Sequence, residues 1–155
     1  MSVQNEKKNP GDIVINIVSG DFINPNELRD LLDVANLEMD LEEFQERPPL
    51  VNIVAHVDGK LVGYCAGAPL YSQTCFMIAN CVHPSYQWRG ISLHMIELLS
   101  AAFFVKGYRL MDGITQSLRA VSLYENWATV SKHLGYHLEV SLDEIIQRAQ
   151  ARKSE

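Results

Sequence analysis

The sequence predicts an α/β (α+β) fold, with a mixed, mostly antiparallel central sheet flanked by helices. Three observations carry this expectation. Three apolar strands follow one another between residues 50 and 82, joined by turns too short for anything but antiparallel neighbours. Two later strands are each reached through a long helical stretch, the spacing of a crossover connection. The 155 residues contain no repeat, low-complexity tract or linker, which fits one domain.

The elements follow in order. Residues 1–11 read as a loose polar tail ending in Asn9-Pro10-Gly11. Asp12–Val18 is a strand rich in Ile and Val. A helix follows, with Asn24 as N-cap, Pro25 at its first position and Glu27 completing a capping box. Its apolar residues Leu28, Leu31, Leu32 and Ala35 keep to one helical face. The acidic segment Glu38–Glu46 forms a short helix ended by Pro48-Pro49. Leu50–Val57, the turn Asp58-Gly59 and Lys60–Leu70 make a hairpin, and Thr74–Val82 is a further strand. Ile91–Val105 is an apolar helix closed by Gly107. Tyr108–Thr115 is a strand, Ser117–Leu134 a helix stopped at Gly135, and Tyr136–Val140 the last strand. Ser141 with Glu144 caps a terminal helix.

Composition narrows the function classes. A net charge of −6 and a pI near 5.3 argue against a nucleic-acid binder, which needs a basic face, and suit an amine-bearing partner. Cys65, Cys75 and Cys81 are an odd set without CxxC spacing, so they read as unpaired core thiols in a reducing compartment. The five histidines and three cysteines are scattered, and no metal is expected. The N-terminus lacks the apolar run of a signal peptide, and no stretch reaches the ~20 apolar residues of a membrane span. The expected setting is therefore cytoplasmic.

One stretch carries chemistry: Asn80-Cys81-Val82-His83-Pro84-Ser85-Tyr86-Gln87-Trp88-Arg89-Gly90-Ile91-Ser92. A strand ends at Val82 and a helix opens near Gly90, so unpaired N–H groups face an incoming anion. Gly90 admits close approach to the backbone, small Ser92 leaves room, and Arg89 adds positive charge.

This stretch resembles the phosphate loop of the GCN5-related N-acetyltransferases (the GNAT family), which reads Q/R-x-x-G-x-G/A after the fourth strand. Here it is Gln87-Trp88-Arg89-Gly90-Ile91-Ser92, with Ser92 in place of Gly or Ala, and Val82-His83-Pro84 matches the family's preceding V-x-P. Lys132-His133-Leu134-Gly135-Tyr136 is similar to the family's ending of the late helix. The resemblance implies an acetyl-coenzyme A cosubstrate and an N-acetyltransferase that transfers acetyl directly to an amine. It implies that the fourth and fifth strands splay apart, and that the pantetheine arm pairs with main-chain groups of Asn80, Cys81 and Val82. The pyrophosphate then falls to the N–H groups of residues 89–92, with Ile91 among them. A backbone amide near Val82 would stabilise the oxyanion.

The family's late-helix tyrosine, the acid for the leaving thiolate, is replaced by Ser131, with Tyr124 seven residues earlier as a substitute. His83 and Asp112 are the candidate bases. In the family the first helices wall the acceptor site, so the acidic residues 38–46 would attract a cationic amine, small or a protein lysine. The replacement at Ser131 keeps a second reading open, a weakly catalytic module that regulates a partner protein. The terminal helix face of Ile145, Ile146 and Ala149 would serve either a homodimer or its own sheet, leaving monomer and homodimer both open.

Overall fold

A computed structural model describes residues 12–115, 128–132 and 136–154. Asn24 begins the first helix as expected, because its side-chain oxygen accepts the N–H groups of Asn26 and Glu27 at 2.9 and 3.3 Å. Asp40 does the same for the second, accepting from Glu42 and Glu43 at 3.0 Å each. The elements run β1 (Ile13–Val18), α1 (Pro25–Val34), α2 (Leu41–Glu46), β2 (Val51–Val57), β3 (Lys60–Tyr71) and β4 (Thr74–Val82). They continue with α3 (Ile91–Val105), β5 (Leu110–Thr115), β6 (Ala128–Lys132), β7 (Tyr136–Ser141) and α4 (Leu142–Lys153). Two short 3₁₀ turns, Gly20–Phe22 and Pro84–Tyr86, complete the described chain.

The strands form one sheet in the order β1-β2-β3-β4-β5-β7-β6. Every neighbouring pair is antiparallel except β4 with β5, which is parallel. A parallel step needs a crossover, and α3 supplies it. Each face of the sheet is covered. Val51, Ile53, Cys65, Cys75 and Val82 meet Met95, Ile96, Leu99 and Phe103 of α3 and Ile145 of α4. On the other face Val54, Tyr64, Ala66, Ala79 and Cys81 meet Leu28, Leu31, Leu32 of α1 and Phe44 of α2.

Close packing shows at two glycines on β3. A methyl group on Gly63 would lie 3.0 Å from Ala55, and one on Gly67 only 2.7 Å from the Phe103 ring. Those positions must stay bare for α3 to sit on the sheet. An ion pair between Arg152 and Glu97 ties α4 to α3. Ile145 and Ala149 of α4 are buried, so the face that offered a dimer contact packs on the protein's own sheet.

One expectation needs correction. The helix drawn over Ser117–Leu134 does not extend through residues 128–132, which pair with β7 as strand β6, Ser131 opposite His137. Thr129 and Val130, both β-branched, favour the extended state, and pairing along β7 decides it. The candidate base Asp112 lies on β5, inside the sheet between β4 and β7, and is 6% exposed.

Candidate functional site

The site grows from the single parallel step of the sheet. β4 and β5 pair only at Thr74–Leu110, Cys75–Met111 and Phe76–Asp112. Beyond those residues both strands continue without pairing, β4 to Val82 and β5 to Thr115, so a fork opens between them. The β3–β4 register changes where the fork begins: Ala66 faces Ala79 and Gly67 faces Met77. Ile78 is therefore the extra residue of a β-bulge, which bends β4 away from β5.

The edge of β4 that leaves the β5 ladder can be read group by group. The His83 N–H donates to the Val62 carbonyl at 2.7 Å, while Val82 sits opposite Gly63. Gly63–Val82 is thus a non-hydrogen-bonded pair, and the N–H and C=O of Val82 turn away from β3 into the fork. Two residues earlier, Asn80 opposite Cys65 has the same aspect. Cys81 between them is the hydrogen-bonded partner of Tyr64, so its main chain is committed to β3.

The loop to α3 is held against this edge from both ends. Gln87 Nε2 donates to the Val82 carbonyl at 3.2 Å. Asn80 Nδ2 donates to Ser92 Oγ at 2.9 Å, joining the strand to the first turn of α3. Between these ties the backbone passes through the left-handed region twice, at Trp88 (φ 65°) and Gly90 (φ 77°). A side chain added at Gly90 would meet nothing within 4 Å, so the space before the helix is open. The first intrahelical bond runs from His94 to Gly90, leaving the N–H groups of Ile91, Ser92 and Leu93 aimed at that space. A strand edge outside the β4–β5 ladder that leads to the N-terminus of a helix fits a ligand with a polar amide arm and a pyrophosphate.

His83 caps the 3₁₀ turn, its Nδ1 accepting the Ser85 N–H at 3.1 Å. Arg89 lies exposed, its guanidinium 5.2 Å from the centre of the Tyr86 ring.

Among the described residues, the predicted catalytic residues do not converge. Asp112 stands at the base of the fork in register with Phe76, six residues before Val82, so about 20 Å of strand separates them. Ser131 lies on β6, with β7 and β5 between it and the fork. Tyr124 falls outside the described residues.

The thiol within the site is inert. Cys81 is buried and its thiol is pushed up to about 12, chiefly by desolvation and partly offset by a hydrogen bond from the Tyr64 backbone. Cys75 is likewise pushed up to about 12, by burial and then by the nearby Asp112 charge, against a backbone hydrogen bond that lowers it. Neither offers a thiolate to carry an acyl group.

On the opposite face, α1, α2 and their connection border an open recess of about 480 Å³. Glu38, Asp40, Glu42 and Asp33 line it with Arg29, over apolar Leu37 and Met39. This recess was not legible in the sequence beyond the run of acidic residues. Among the described residues no helix is long and apolar enough to cross a membrane.

The sequence model of the acetyltransferase (GNAT) family matches residues 16–128. The chain belongs to the GNAT acetyltransferase family. No curated protein matches it by sequence. Among solved structures it is similar to aminoglycoside 6′-acetyltransferase type Ii, at TM-score 0.71 and 17% identity over 83% of this chain and 97% of that one. It is also similar to the ribosomal-protein-S18-alanine N-acetyltransferase from Escherichia coli, at TM-score 0.68 and 14% identity over 84% and 94%. A third is a GNAT family N-acetyltransferase from Escherichia coli in complex with CoA, at TM-score 0.69 and 16% identity over 86% and 84%. At these identities the likeness is one of fold.

Proposed function

We propose that this protein is an N-acetyltransferase that moves acetyl from acetyl-CoA to a cationic amine by direct transfer. The observation that carries the proposal is the forked β4–β5 pair, in which β4 runs on beyond the ladder to the loop before α3. In this reading the main-chain groups of Asn80 and Val82 pair with the pantetheine arm. The N–H groups at the start of α3 hold the pyrophosphate, with Gln87 fixing the loop to the strand.

The chemistry asks little of the side chains. The amine nitrogen, having lost a proton, attacks the thioester carbonyl; the C–N bond forms, the C–S bond breaks and the thiolate takes a proton. The fork-facing N–H of Val82 is the donor for the oxyanion that develops. The inert Cys81 argues for one displacement without an acyl-enzyme. No described side chain stands as the base, which leaves that proton to ordered water. Tyr124 is carried forward as donor to the thiolate, since Ser131 lies beyond β7.

In this reading the acceptor binds in the acidic recess beside α2, whose lining carboxylates support a cationic amine. The carboxylates of Glu38 and Glu42 would draw a protonated amine, and Leu37 and Met39 would cover its carbon skeleton. Among the structural neighbours are an aminoglycoside 6′-acetyltransferase and a ribosomal-protein-S18-alanine N-acetyltransferase, so small-molecule and protein amines both belong in the screen.

The test is acetyl-CoA stabilisation of the fold followed by turnover with an amine panel. Ligand at ~100 times its Kd raises the unfolding free energy by about 2.7 kcal/mol, several degrees in Tm. Gly90→Glu, which fills the open space with a like charge, should abolish the shift without unfolding the chain. Binding without turnover of any amine would favour the regulatory module, which the displacement of Ser131 supports. No stabilisation at saturating ligand would defeat both.

A further inference from the structure

β1 bounds one side of the sheet, with β2 as its neighbour and no strand beyond it among the described residues. Its sequence, Ile-Val-Ile-Asn-Ile-Val, holds no charge, proline or glycine, the devices that blunt an exposed strand. β6, at the other side of the sheet, carries Lys132. Ile13, Val14 and Ile17 are 36%, 49% and 53% exposed, so apolar surface that gains from burial stands in water. The ladders across the sheet fix which main-chain groups of β1 face outward. Gly63 and Cys65 are non-hydrogen-bonded opposite β4, so they bond to Ala55 and Ile53 of β2. Ala55 and Ile53 are thereby committed to β3, and their partners on β1, Ile15 and Ile17, point their N–H and C=O groups outward. Ile13, two residues earlier, has the same aspect. The side chains of these isoleucines share the α3 face of the sheet, where Ile15 joins the core.

We propose that β1 pairs antiparallel with β1 of a second copy of this chain, about a two-fold axis beside Ile15. In that register Ile15 faces its own counterpart, and Ile13 faces Ile17 of the second copy. Every such pairing joins outward-pointing residues, so each exchanges both hydrogen bonds of a ladder pair. A closed two-fold contact requires a self-complementary strip, and outward groups at 13, 15 and 17 meet that requirement when Ile15 lies on the axis. On the α3 face the isoleucines of the two copies then form one unbroken row of cross-strand pairs. Charge favours the same occupant. The chain carries −6, so its copies repel one another over most of their surface. β1 is a strip without charge, and the register sets Asp12 of one copy opposite Val18 of the other. The two Asp12 carboxylates then stand about 20 Å apart, beyond the ~8 Å screening length at physiological salt. A contact built on one six-residue strand belongs to the small, reversible class of interface. It is separate from the acetyl-transfer reading, since β2 and β3 lie between β1 and the fork.

The experiment is sedimentation equilibrium of the full chain over a wide concentration range, with Ile17→Lys, Ile13→Glu and the double variant. The wild-type chain should pass from monomer to dimer, with a micromolar Kd, and stop there. Each single variant should weaken the dimer by about tenfold or more, since each change acts twice across the axis and sets a charge against isoleucine. The double variant should recover most of the loss, because the register brings the two substituted positions face to face with opposite charges. Val105→Lys, at an apolar residue 86% exposed at the end of α3, should leave the dimer unchanged. Amide hydrogen exchange of the unaltered chain is the second readout, and it needs no variant to fold. The N–H groups of Ile13, Ile15 and Ile17 should slow as concentration rises, whereas those of Asn16 and Val18, bonded to β2, should be protected throughout. A monomer at every concentration overturns the inference and leaves the edge to a strand of another protein or to the chain's own N-terminal residues. A dimer indifferent to both single variants, with exchange at Ile13, Ile15 and Ile17 independent of concentration, places the contact on another surface and also overturns it. A double variant weaker than either single one overturns the register.

Discussion

Asn80 and Ser92 show how one bond can reconcile a departure from a motif with its purpose. The family's loop ends in Gly or Ala, whereas here Ser92 Oγ accepts from Asn80 Nδ2 across the corner between β4 and α3. The bond locks the strand edge to the helix that would hold the pyrophosphate. Asn80→Ala and Ser92→Ala each remove it, at a net cost to stability of about 0.5–1.5 kcal/mol. Each should also raise the acetyl-CoA Kd. Because both delete the same contact, the double variant should bind about as well as the worse single one. Strictly additive losses would mean that the two residues act separately. A second buried pair bears on stability alone. Tyr64 Oη donates to Asn52 Oδ1 at 2.7 Å, and Asn52 Nδ2 donates to the Pro49 carbonyl at 3.0 Å. Tyr64→Phe leaves Asn52 Oδ1 buried without that donor. Urea unfolding should show a loss of about 1–3 kcal/mol, with acetyl-CoA affinity unchanged. A loss below the precision of the extrapolation would discard the network as a source of stability.

At the scale of elements, β3 and α3 define how little room the site's scaffold has. Gly67 lies beneath Phe103, and a β-carbon there would sit 2.7 Å from the ring. Gly67→Ala should therefore cost about 1–3 kcal/mol by overpacking, and Phe103→Leu in the same chain should return part of it. If Gly67→Ala unfolds at the wild-type urea midpoint, α3 is free to shift and the packing argument fails. The acidic recess belongs to this scale too. Glu38→Lys and Glu42→Lys should raise the acceptor KM while leaving the acetyl-CoA Kd alone, and Glu46→Lys, outside the recess, should do neither. Equal effects from all three would reduce the cluster to a solvated face.

Most elements were legible because their signals are local: Asn24 and Ser141 as caps, Asp58-Gly59 as a turn, Gly90 before an apolar helix. The fork followed from a family resemblance, and its apex, the bulge at Ile78, left no mark in the sequence. β6 was missed because Ala128, Ser131 and Lys132 tolerate a helix, and only pairing with β7 settles the matter. The candidate base Asp112 was legible as an oddity in an apolar strand. Its distance from Val82 depends on the β4–β5 register, which no single segment encodes.

The whole molecule carries its thiols and one phenol as neutral core groups, and this sets an upper pH limit on the fold. Cys65, Cys75 and Cys81 are all buried, and burial raises each above the ordinary thiol value of 9.0. Tyr64, buried beside Cys65 and Cys81, is raised as well, mainly by desolvation. The sign follows from linkage. Unfolded, these groups release protons from about pH 9 upward; folded, Cys75 and Cys81 hold theirs to about 12. The unfolded chain then binds fewer protons than the native one, so stability falls as pH rises. The contribution is complete below pH 9.0 and is lost progressively between there and about pH 12. A net charge of −6 at neutral pH adds self-repulsion in the same direction. Urea midpoints should hold level from neutrality to about pH 9 and then decline. Replacing Cys75 and Cys81 together by Ala should flatten that decline even though it lowers the plateau. Native thiols should resist alkylation on the neutral side of the decline and react along with it, since the same opening exposes them. A midpoint that stays level to pH 12, or thiols that alkylate readily in the native chain, would mean that these groups are not the sealed core of the sheet, and the direct-transfer chemistry assigned to the fork would lose its argument from an inert Cys81.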